Sequence, residues 1–243
     1  MAAPQALAVG DLYPAVLALL KEVTPPAAGP VLDVPAGQGA FAQELLRLGY
    51  RSIDCLDINA EAFVLRQPGA RFTRHDAARP LPFPDAHFDQ VFSIEGIEHF
   101  DSPWTFLEEL ARVLKPGGWM FVSTPNTFSV DARLKYLLSG YFPRFRPLMQ
   151  DPDKVMGQDV DDAHVSPIYF WQLNYYLRRS GVMLERVSTN AVQRKRRWSN
   201  RLVEAALASV IRRNIRKRQF PDSGVTSDAV LYGDCLILAA RKK

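Results

Sequence analysis

The sequence predicts an α/β fold in which helices cover both faces of a mostly parallel sheet. Short apolar runs alternate with amphipathic, helix-length segments through the first half of the chain, and turns containing Gly and Pro separate them. This alternation is typical of successive strand–helix–strand units. The chain has 243 residues, 47% of them hydrophobic, which is enough for one core. We therefore expect a single domain over residues 1–243 and exclude fibrous and wholly disordered proteins.

The first half supplies the strands and helices of this pattern in order. Val31–Val34 is a short apolar run that ends at a Pro/Gly turn, which predicts the first strand. Pro103–Leu114 carries apolar residues at helical spacing and ends at a Pro-Gly-Gly sequence, which predicts a helix. Because right-handed crossovers place the carboxyl ends of parallel strands along one edge, we expect a ligand to bind there. The other predicted elements are helices at Gly39–Leu48 and Ala60–Gln67, and strands at Ser52–Leu56, Phe88–Ile94 and Trp119–Ser123.

The second half of the chain is less regular. Residues 127–165 contain Pro143, Pro147 and Pro152 beside a cluster of acids, which indicates an insertion or lid. An aromatic-rich helix is predicted at Ile168–Ser180, followed by strands at Met183–Val187 and Leu231–Ala240.

Cysteine content and the N-terminal sequence favour a cytoplasmic protein. Cys55 and Cys235 are too few for a disulfide framework, so we expect reduced thiols. The first 23 residues lack a basic start and are interrupted by Asp11, which argues against a signal peptide. No uncharged apolar stretch approaches the roughly 18 residues that a membrane span needs.

Positive charge is concentrated in one segment, Arg194–Arg218. It holds ten Lys and Arg and one acid, Glu204, so it carries +9 while the rest of the chain carries −5. The apolar stretch Leu202–Ile211 lies between these cations, a pattern that resembles an interfacial helix on an anionic membrane. One alternative is a helix that packs on the sheet edge with its arginines in water. The other is contact with RNA, although the sequence contains no recognisable RNA-binding module.

A glycine-bearing turn follows the first strand. Gly37 and Gly39 permit a positive φ and close approach of the backbone to a ligand, and Asp57 at the end of the second strand can bind two ribose hydroxyls. The pattern also fits a dinucleotide fingerprint, and a tight structural turn is a further alternative. Asp33 favours a ligand with an amino group or positive charge, since an acid at that position repels a pyrophosphate.

Five motifs in order give the sequence a family resemblance. They are VLDVPAGQG, LDIN, HDAARPLPFPDAHFDQV, SIEGIEHF and ARVLKPGGWMFVSTPN. With them the chain resembles the class I S-adenosylmethionine-dependent methyltransferases, in the branch of the ubiquinone-biosynthesis O-methyltransferases. The resemblance implies a Rossmann-like, seven-stranded, mostly parallel sheet with an antiparallel last strand. Pro35 departs from the pattern, because the family usually has a glycine there.

The resemblance also implies where S-adenosylmethionine binds. Asp33 and the backbone from Ala36 through Gly37 to Gly39 would hold its aminopropyl-carboxylate end, and Asp57 would bind the ribose hydroxyls. The remaining contacts would be Ile58 against the adenine face, Asp76 accepting from the adenine amino group with the Ala77 amide nearby, and Ser93 along the methionine side.

The sequence Glu95-Gly-Ile-Glu98-His99 follows the fourth strand and is expected to face the ligand. His99, with Glu98 beside it, is the candidate proton acceptor, because imidazole exchanges a proton near neutral pH. The alternative is that this pair packs structurally. On a helical turn Glu95, Glu98 and His99 share one face, and His164 could join them to hold Mg²⁺, Mn²⁺ or Zn²⁺, as in some related methyltransferases. Otherwise His164 closes the pocket or touches substrate.

We therefore expect methyl transfer to an oxygen of a small molecule, a lipid precursor or a glycan, with RNA as the alternative acceptor. Two other functions fit part of the sequence. An NAD-dependent oxidoreductase fits the glycine turn but is opposed by Asp33, and a non-catalytic member would bind the cofactor without turnover. We expect a cytoplasmic protein, located at the inner face of a membrane if the basic segment binds lipid.

Overall fold

One seven-stranded sheet forms the centre of the molecule. The computed structural model describes residues 3–8, 10–145, 164–192, 198–218 and 224–243. Within 198–218 the side chains are described from residue 201 onward. The strands β1 to β7 lie at Val31–Asp33, Ile53–Asp57, Ala70–Arg74, Phe88–Ile94, Leu114–Pro125, Val182–Thr189 and Cys235–Lys242. Their order in the sheet is β3-β2-β1-β4-β5-β7-β6.

The predicted mostly parallel sheet is confirmed. The pairs β1–β2, β1–β4, β2–β3 and β4–β5 are parallel. Strand β7 runs antiparallel to both β5 and β6, which confirms the expected antiparallel last strand. As a result, the start of β7 lies at the same edge as the carboxyl ends of the parallel strands.

Seven helices lie in the described part of the chain, and the apolar side chains form a core on each face of the sheet. Alternate residues of a strand point to opposite faces. Leu32 thus packs in the cluster that contains Leu107 and Leu173, and Val31 packs with Val16 and Phe41. The helices α1 to α7 lie at Leu12–Val23, Ala40–Arg47, Pro103–Val113, Val130–Ser139, Phe170–Arg179, Trp198–Lys217 and Asp228–Tyr232.

The helix predicted at Ala60–Gln67 is wrong. This segment forms one turn and then runs without regular structure into β3, which the sequence did not predict. The side chains of Phe63 and Leu65 are buried against the glycine turn, and the Val64 amide donates a hydrogen bond to the Gln38 carbonyl at 3.3 Å. Tertiary contacts with that turn therefore override a short helical pattern.

The strand predicted at Leu231–Ala240 begins later than expected. Leu231 belongs to α7, which Ser227 caps by accepting a hydrogen bond from the Val230 amide, and β7 starts only at Cys235. The side-chain amide of Asn126 donates hydrogen bonds through Nδ2 to the carbonyls of Val230 and Gly233, both at 2.9 Å. These bonds fix the break between α7 and β7.

The predicted lid and basic segment are only partly described. Helix α4 occupies the first part of 127–165, while 146–163 and the cations at 194–197 lie outside the described residues. The lid therefore stays a prediction. Across the ranges that the structure covers, no helix has both the length and the apolar character that crossing a bilayer requires.

Replacement of Gly39 by alanine should be unusually destabilising. Its φ is +86°, and a Cβ atom there would lie 2.7 Å from Leu65 Cβ and 2.8 Å from Phe63 Cε2. We expect Gly39→Ala to lower the free energy of unfolding by about 3 kcal/mol, since strain and overpacking add. Gly181→Ala is the matched control, with φ +75° and no atom within 4 Å of the added Cβ, and should cost about 1 kcal/mol. Equal losses in urea denaturation would contradict the clash.

Candidate active site

The carboxyl edge of the sheet brings together the ends of β1, β2 and β4. Asp33, Asp57 and Ser93 lie there, all buried. The glycine turn follows β1, with positive φ values of 52° at Gly37 and 86° at Gly39. Such backbone is accessible to glycine at little cost, so the turn can present its amides to a ligand.

Asp57 is tied to the glycine turn. The Gly37 amide donates to Asp57 Oδ2 at 2.8 Å, and the Asn59 amide donates to Oδ1 at 2.9 Å. The turn itself closes through the Gly39 amide, which donates to the Ala36 carbonyl at 2.9 Å. Each carboxylate oxygen can accept a second hydrogen bond. Asp57 is thus held in a fixed orientation and retains the capacity to bind two hydroxyls.

Asp33 is a buried acid whose hydrogen-bonding capacity is incompletely used. It is 1% exposed, and its Oδ2 has no hydrogen-bond partner among the described residues. Burial, reinforced by the charge of Asp57, raises the pKa of Asp33 to about 8. A cationic group placed beside it would stabilise the carboxylate and remove the proton. This arrangement suits an ammonium-bearing ligand better than a pyrophosphate.

Pro35 fits the turn because Gly96 leaves space for it. A Cβ atom at Gly96 would lie close against the Pro35 ring and 3.1 Å from Ser93 Oγ. The hydroxyl of Ser93 is buried and has no partner in the described part of the chain. The departure from the family pattern at Pro35 is therefore accommodated by a glycine across the site, and Ser93 keeps an unused polar atom there.

The remaining predicted cofactor residues lie at the rim of this edge. Ile58 is exposed, whereas Ala77 is buried directly after Asp76. Asp76 accepts a hydrogen bond from the Ala78 amide at 2.9 Å and pairs with Arg79 at 3.3 Å. Asp76 thus stabilises the turn that follows β3, and its expected contact with the adenine amino group stays a prediction.

Three of the four predicted metal ligands come together. The ligand atoms of Glu98, His99 and His164 all lie within 4.8 Å of one another, and the rings of the two histidines meet edge to face at 4.7 Å. The amides of Val165 and Ser166 donate to the Glu98 carbonyl at 3.1 and 3.0 Å. These backbone bonds hold the two segments side by side.

Glu98 is fully buried, and neither carboxyl oxygen has a hydrogen-bond partner among the described residues. Burial is the main cause that raises its pKa to about 8, and the charge of Glu95 adds to it. The pKa of His164 is lowered by burial and then by His99. A cation between these groups would stabilise ionised Glu98, and the lowered pKa of His164 favours the neutral imidazole that a metal ligand requires.

Glu95 does not join this group. Its Oε1 accepts hydrogen bonds from Arg144 Nη1 at 2.8 Å and from the Cys235 thiol at 3.2 Å. Arg144 also pairs with Asp234, directly before β7. A short helical turn covers Ile97–His99 only, and Glu95 has a positive φ of 49°, so the spacing expected for a continuous helical turn is not realised. Glu95 instead ties the edge of β4 to β7.

Arg144 and Tyr13 are among the residues near the site that were not predicted. Arg144 follows α4 and crosses to Glu95, a contact between segments that no local pattern indicates. Tyr13 of α1 packs edge-on against Phe41 at 5.2 Å. Its pKa is raised by burial and by the charges of Asp33 and Glu95, which places it beside the site. The apolar spacing of α1 could have indicated that helix, although not its position.

Removal of Arg144 should destabilise the fold. Arg144→Gln leaves Glu95 and Asp234 without their shared cation. We expect the free energy of unfolding, measured by urea denaturation, to fall by about 2 kcal/mol. This is less than the cost of breaking a fully buried pair, because the site is partly exposed. Arg178→Gln removes an exposed cation on α5 and should leave the free energy of unfolding unchanged. An unchanged value for Arg144→Gln would show that the network contributes nothing.

Comparison with known proteins identifies the domain. A family model described as "Methyltransferase domain" matches residues 32–122. The chain is 32% identical over 124 residues to a ubiquinone biosynthesis O-methyltransferase of Maricaulis maris, covering 47% of this chain and 49% of that protein. It is 40% identical over 95 residues to a probable phthiotriol/phenolphthiotriol dimycocerosates methyltransferase 2 of Mycobacterium ulcerans, covering 37% and 36%.

The chain spans half or less of the length of these two curated relatives. A solved structure of an S-adenosylmethionine dependent methyltransferase from Mesorhizobium loti shares the fold along nearly the whole chain. It has a TM-score of 0.56 and 14% identity, over 93% of this chain and 96% of that one. Residues 32–122 therefore match a methyltransferase domain, and the sheet order and the buried polar edge agree with the fold of S-adenosylmethionine-dependent methyltransferases.

Proposed function

We propose that the protein transfers the methyl group of S-adenosylmethionine to an oxygen of a small molecule, a lipid precursor or a glycan. The observation that carries this proposal is the pairing of buried, partly unsatisfied Asp33 with the glycine turn that Asp57 holds. Transfer to oxygen is supported by the similarity to the Maricaulis maris protein, which is named an O-methyltransferase.

The polar edge fits this cofactor. Asp33 and the amides of the turn Ala36–Gly39 would hold its amino-acid end, and Asp57 would bind the ribose hydroxyls. Ser93 offers a buried, unpartnered hydroxyl toward the methionine side. The adenine would be enclosed by the residues at the rim of this edge, Ile58, Asp76 and Ala77.

When bound, S-adenosylmethionine supplies a methyl group that its sulfonium already activates. The protein must align the acceptor for in-line attack and take its proton. His99 is the proposed proton acceptor, because it is half-buried in the short helical turn after β4 and its ring nitrogen can accept a proton. Glu98, whose pKa is raised to about 8, holds its proton at neutral pH and is better suited to orienting its neighbours than to serving as the base.

A divalent metal is a second feature of this proposal. One buried carboxylate and two imidazoles form a donor set that Zn²⁺ and Mn²⁺ accept, and that Mg²⁺, which prefers oxygen ligands, accepts less well. The oxygens of Glu98 have no hydrogen-bond partner among the residues that the structure describes, which favours a cation there. Glu95 is engaged with Arg144, so the ligands we propose are Glu98, His99 and His164, and with an ion bound His99 would serve as a ligand instead of as the proton acceptor. The ion would orient an acceptor hydroxyl.

Binding of S-adenosylhomocysteine should release a proton. Asp33 is largely protonated at pH 7 because its pKa is about 8, and the ligand's ammonium group should draw it into the ionised form. Titration calorimetry in buffers with different ionisation heats measures the proton count, and we expect close to one for each ligand bound. Asp33→Asn should abolish the release and weaken binding by about tenfold or more.

Asp54→Asn is the matched control, because Asp54 is also buried but pairs with Arg71 on the neighbouring strand. This variant should release the proton as the wild type does. Tight binding of NADH in place of S-adenosylhomocysteine would overturn the cofactor assignment and favour the oxidoreductase alternative.

Labelled S-adenosylmethionine and fractionated lysate test the activity. We expect one class of acceptor to acquire the label, and His99→Ala to lower the rate of transfer by about a hundredfold or more while S-adenosylhomocysteine affinity is kept. Cofactor binding without labelling of any component would favour the non-catalytic alternative. Labelled RNA would contradict the proposed acceptor classes.

The metal is tested in the same preparation by equilibrium dialysis against Zn²⁺ or Mn²⁺. One ion should bind to each chain, and His164→Ala should lose it. Activity that survives EDTA, together with no ion bound in dialysis, would remove the metal from the mechanism.

A further inference from the structure

The outward face of α6 is unusual for a surface helix. Its inner face packs through Ala208, Ile211 and Ile215, at spacings of three and four residues. On the opposite side Val203 and Val210 are 56% and 54% exposed. Exposed Leu202 and Ala206 lie between or beside them, so after exposed Arg201 the outer side of this helix is mainly apolar over 202–210. A helix that only covers a protein core normally has a polar outer face.

Cations continue the same outward stripe. Arg213 and Lys217 follow Val210 at spacings of three and four residues, and Arg216 and Arg218 flank them, all exposed. Over 201–218 the helix contains one acid, Glu204, which is buried. Beyond Arg201, the outer surface of α6 therefore changes from apolar to cationic, and no exposed acid lies in 201–218.

The end of α4 extends the apolar part of this surface. Leu137 and Leu138 are 77% and 83% exposed. Helix α4 packs beside α6, since Val130 and Leu134 share a cluster with Ala208. Two neighbouring helices thus present large aliphatic side chains to the outside.

This surface adjoins the active-site edge. Helix α4 begins directly after β5 ends at that edge, and Arg144, four residues beyond Gly140, contacts Glu95. An object bound at the end of α4 would therefore lie a few residues from the contact between Arg144 and Glu95.

We propose that the outward face of α6 and the end of α4 dock the protein on an anionic membrane surface. The aliphatic side chains would enter the boundary between headgroups and acyl chains, and the cations would contact acidic headgroups. A second copy of the chain fits less well. Parallel pairing would bring the cations of two helices together, and antiparallel pairing would set them against apolar side chains. RNA would leave the aliphatic half without a partner.

Vesicle flotation tests the proposal without cofactor or acceptor, so its outcome is independent of methyl transfer. The wild type should float with vesicles of phosphatidylcholine and phosphatidylglycerol and should remain unbound with phosphatidylcholine alone. Arg213→Glu/Lys217→Glu should weaken binding by at least about tenfold, as the headgroup attraction of two cations is reversed. Val203→Asp/Val210→Asp should also weaken it, while the buried face of α6 is kept.

Matched controls lie on α5, away from this surface. Arg178→Glu reverses an exposed cation, and Tyr175→Ser removes an exposed aromatic side chain, and both should bind as the wild type does. Circular dichroism and the thermal midpoint establish that each variant is folded. Failure of the wild type to float, or equal binding by all variants, would overturn the proposal. So would a wild-type dimer that Val203→Asp/Val210→Asp dissociates, or RNA binding in place of vesicle binding.

Discussion

Asp33, a carboxyl group buried at the end of β1, constrains the candidate active site at the carboxyl edge of the sheet. Ionised Asp33 without a partner would carry a large desolvation penalty, and the folded chain avoids it by keeping the group protonated up to about pH 8. The unfolded chain loses that proton near pH 4, so folded and unfolded states bind different numbers of protons between those values. Asp33 therefore makes the unliganded fold less stable as pH rises from about 4 to about 8. A cationic ligand beside Asp33 would reverse this penalty.

The surrounding structure depends on that edge being held rigid. Asp57 is fixed by the Gly37 and Asn59 amides, and the packing of Phe63 and Leu65 on Gly39 leaves the turn little freedom. Gly96 makes room for the ring of Pro35 on the other side. The turn is thus pre-organised by contacts from three separate segments of the chain.

The antiparallel direction of β7 joins the two halves of the molecule at the same edge. Because β7 starts there, Asp234 and Cys235 lie within reach of Arg144, which also pairs with Glu95. This network leaves Glu98 and the two histidines as a separate group next to it. The residues proposed for proton transfer or metal binding therefore differ from those that position the segment after α4, although Glu95 and Glu98 are only three apart.

The sequence by itself determined the parallel sheet, the glycine turn and the acids that end β1 and β2, because these follow from local periodicity and from motifs that are continuous in the chain. It could not show that Glu95 turns away from Glu98, or that Ala60–Gln67 is not helical, since both depend on contacts with distant segments. The +9 charge of residues 194–218 was visible from composition. Which side chains of α6 face outward was decided only by packing against α4 and α7, because a helix that is apolar on two faces has no single buried face until its neighbours cover one.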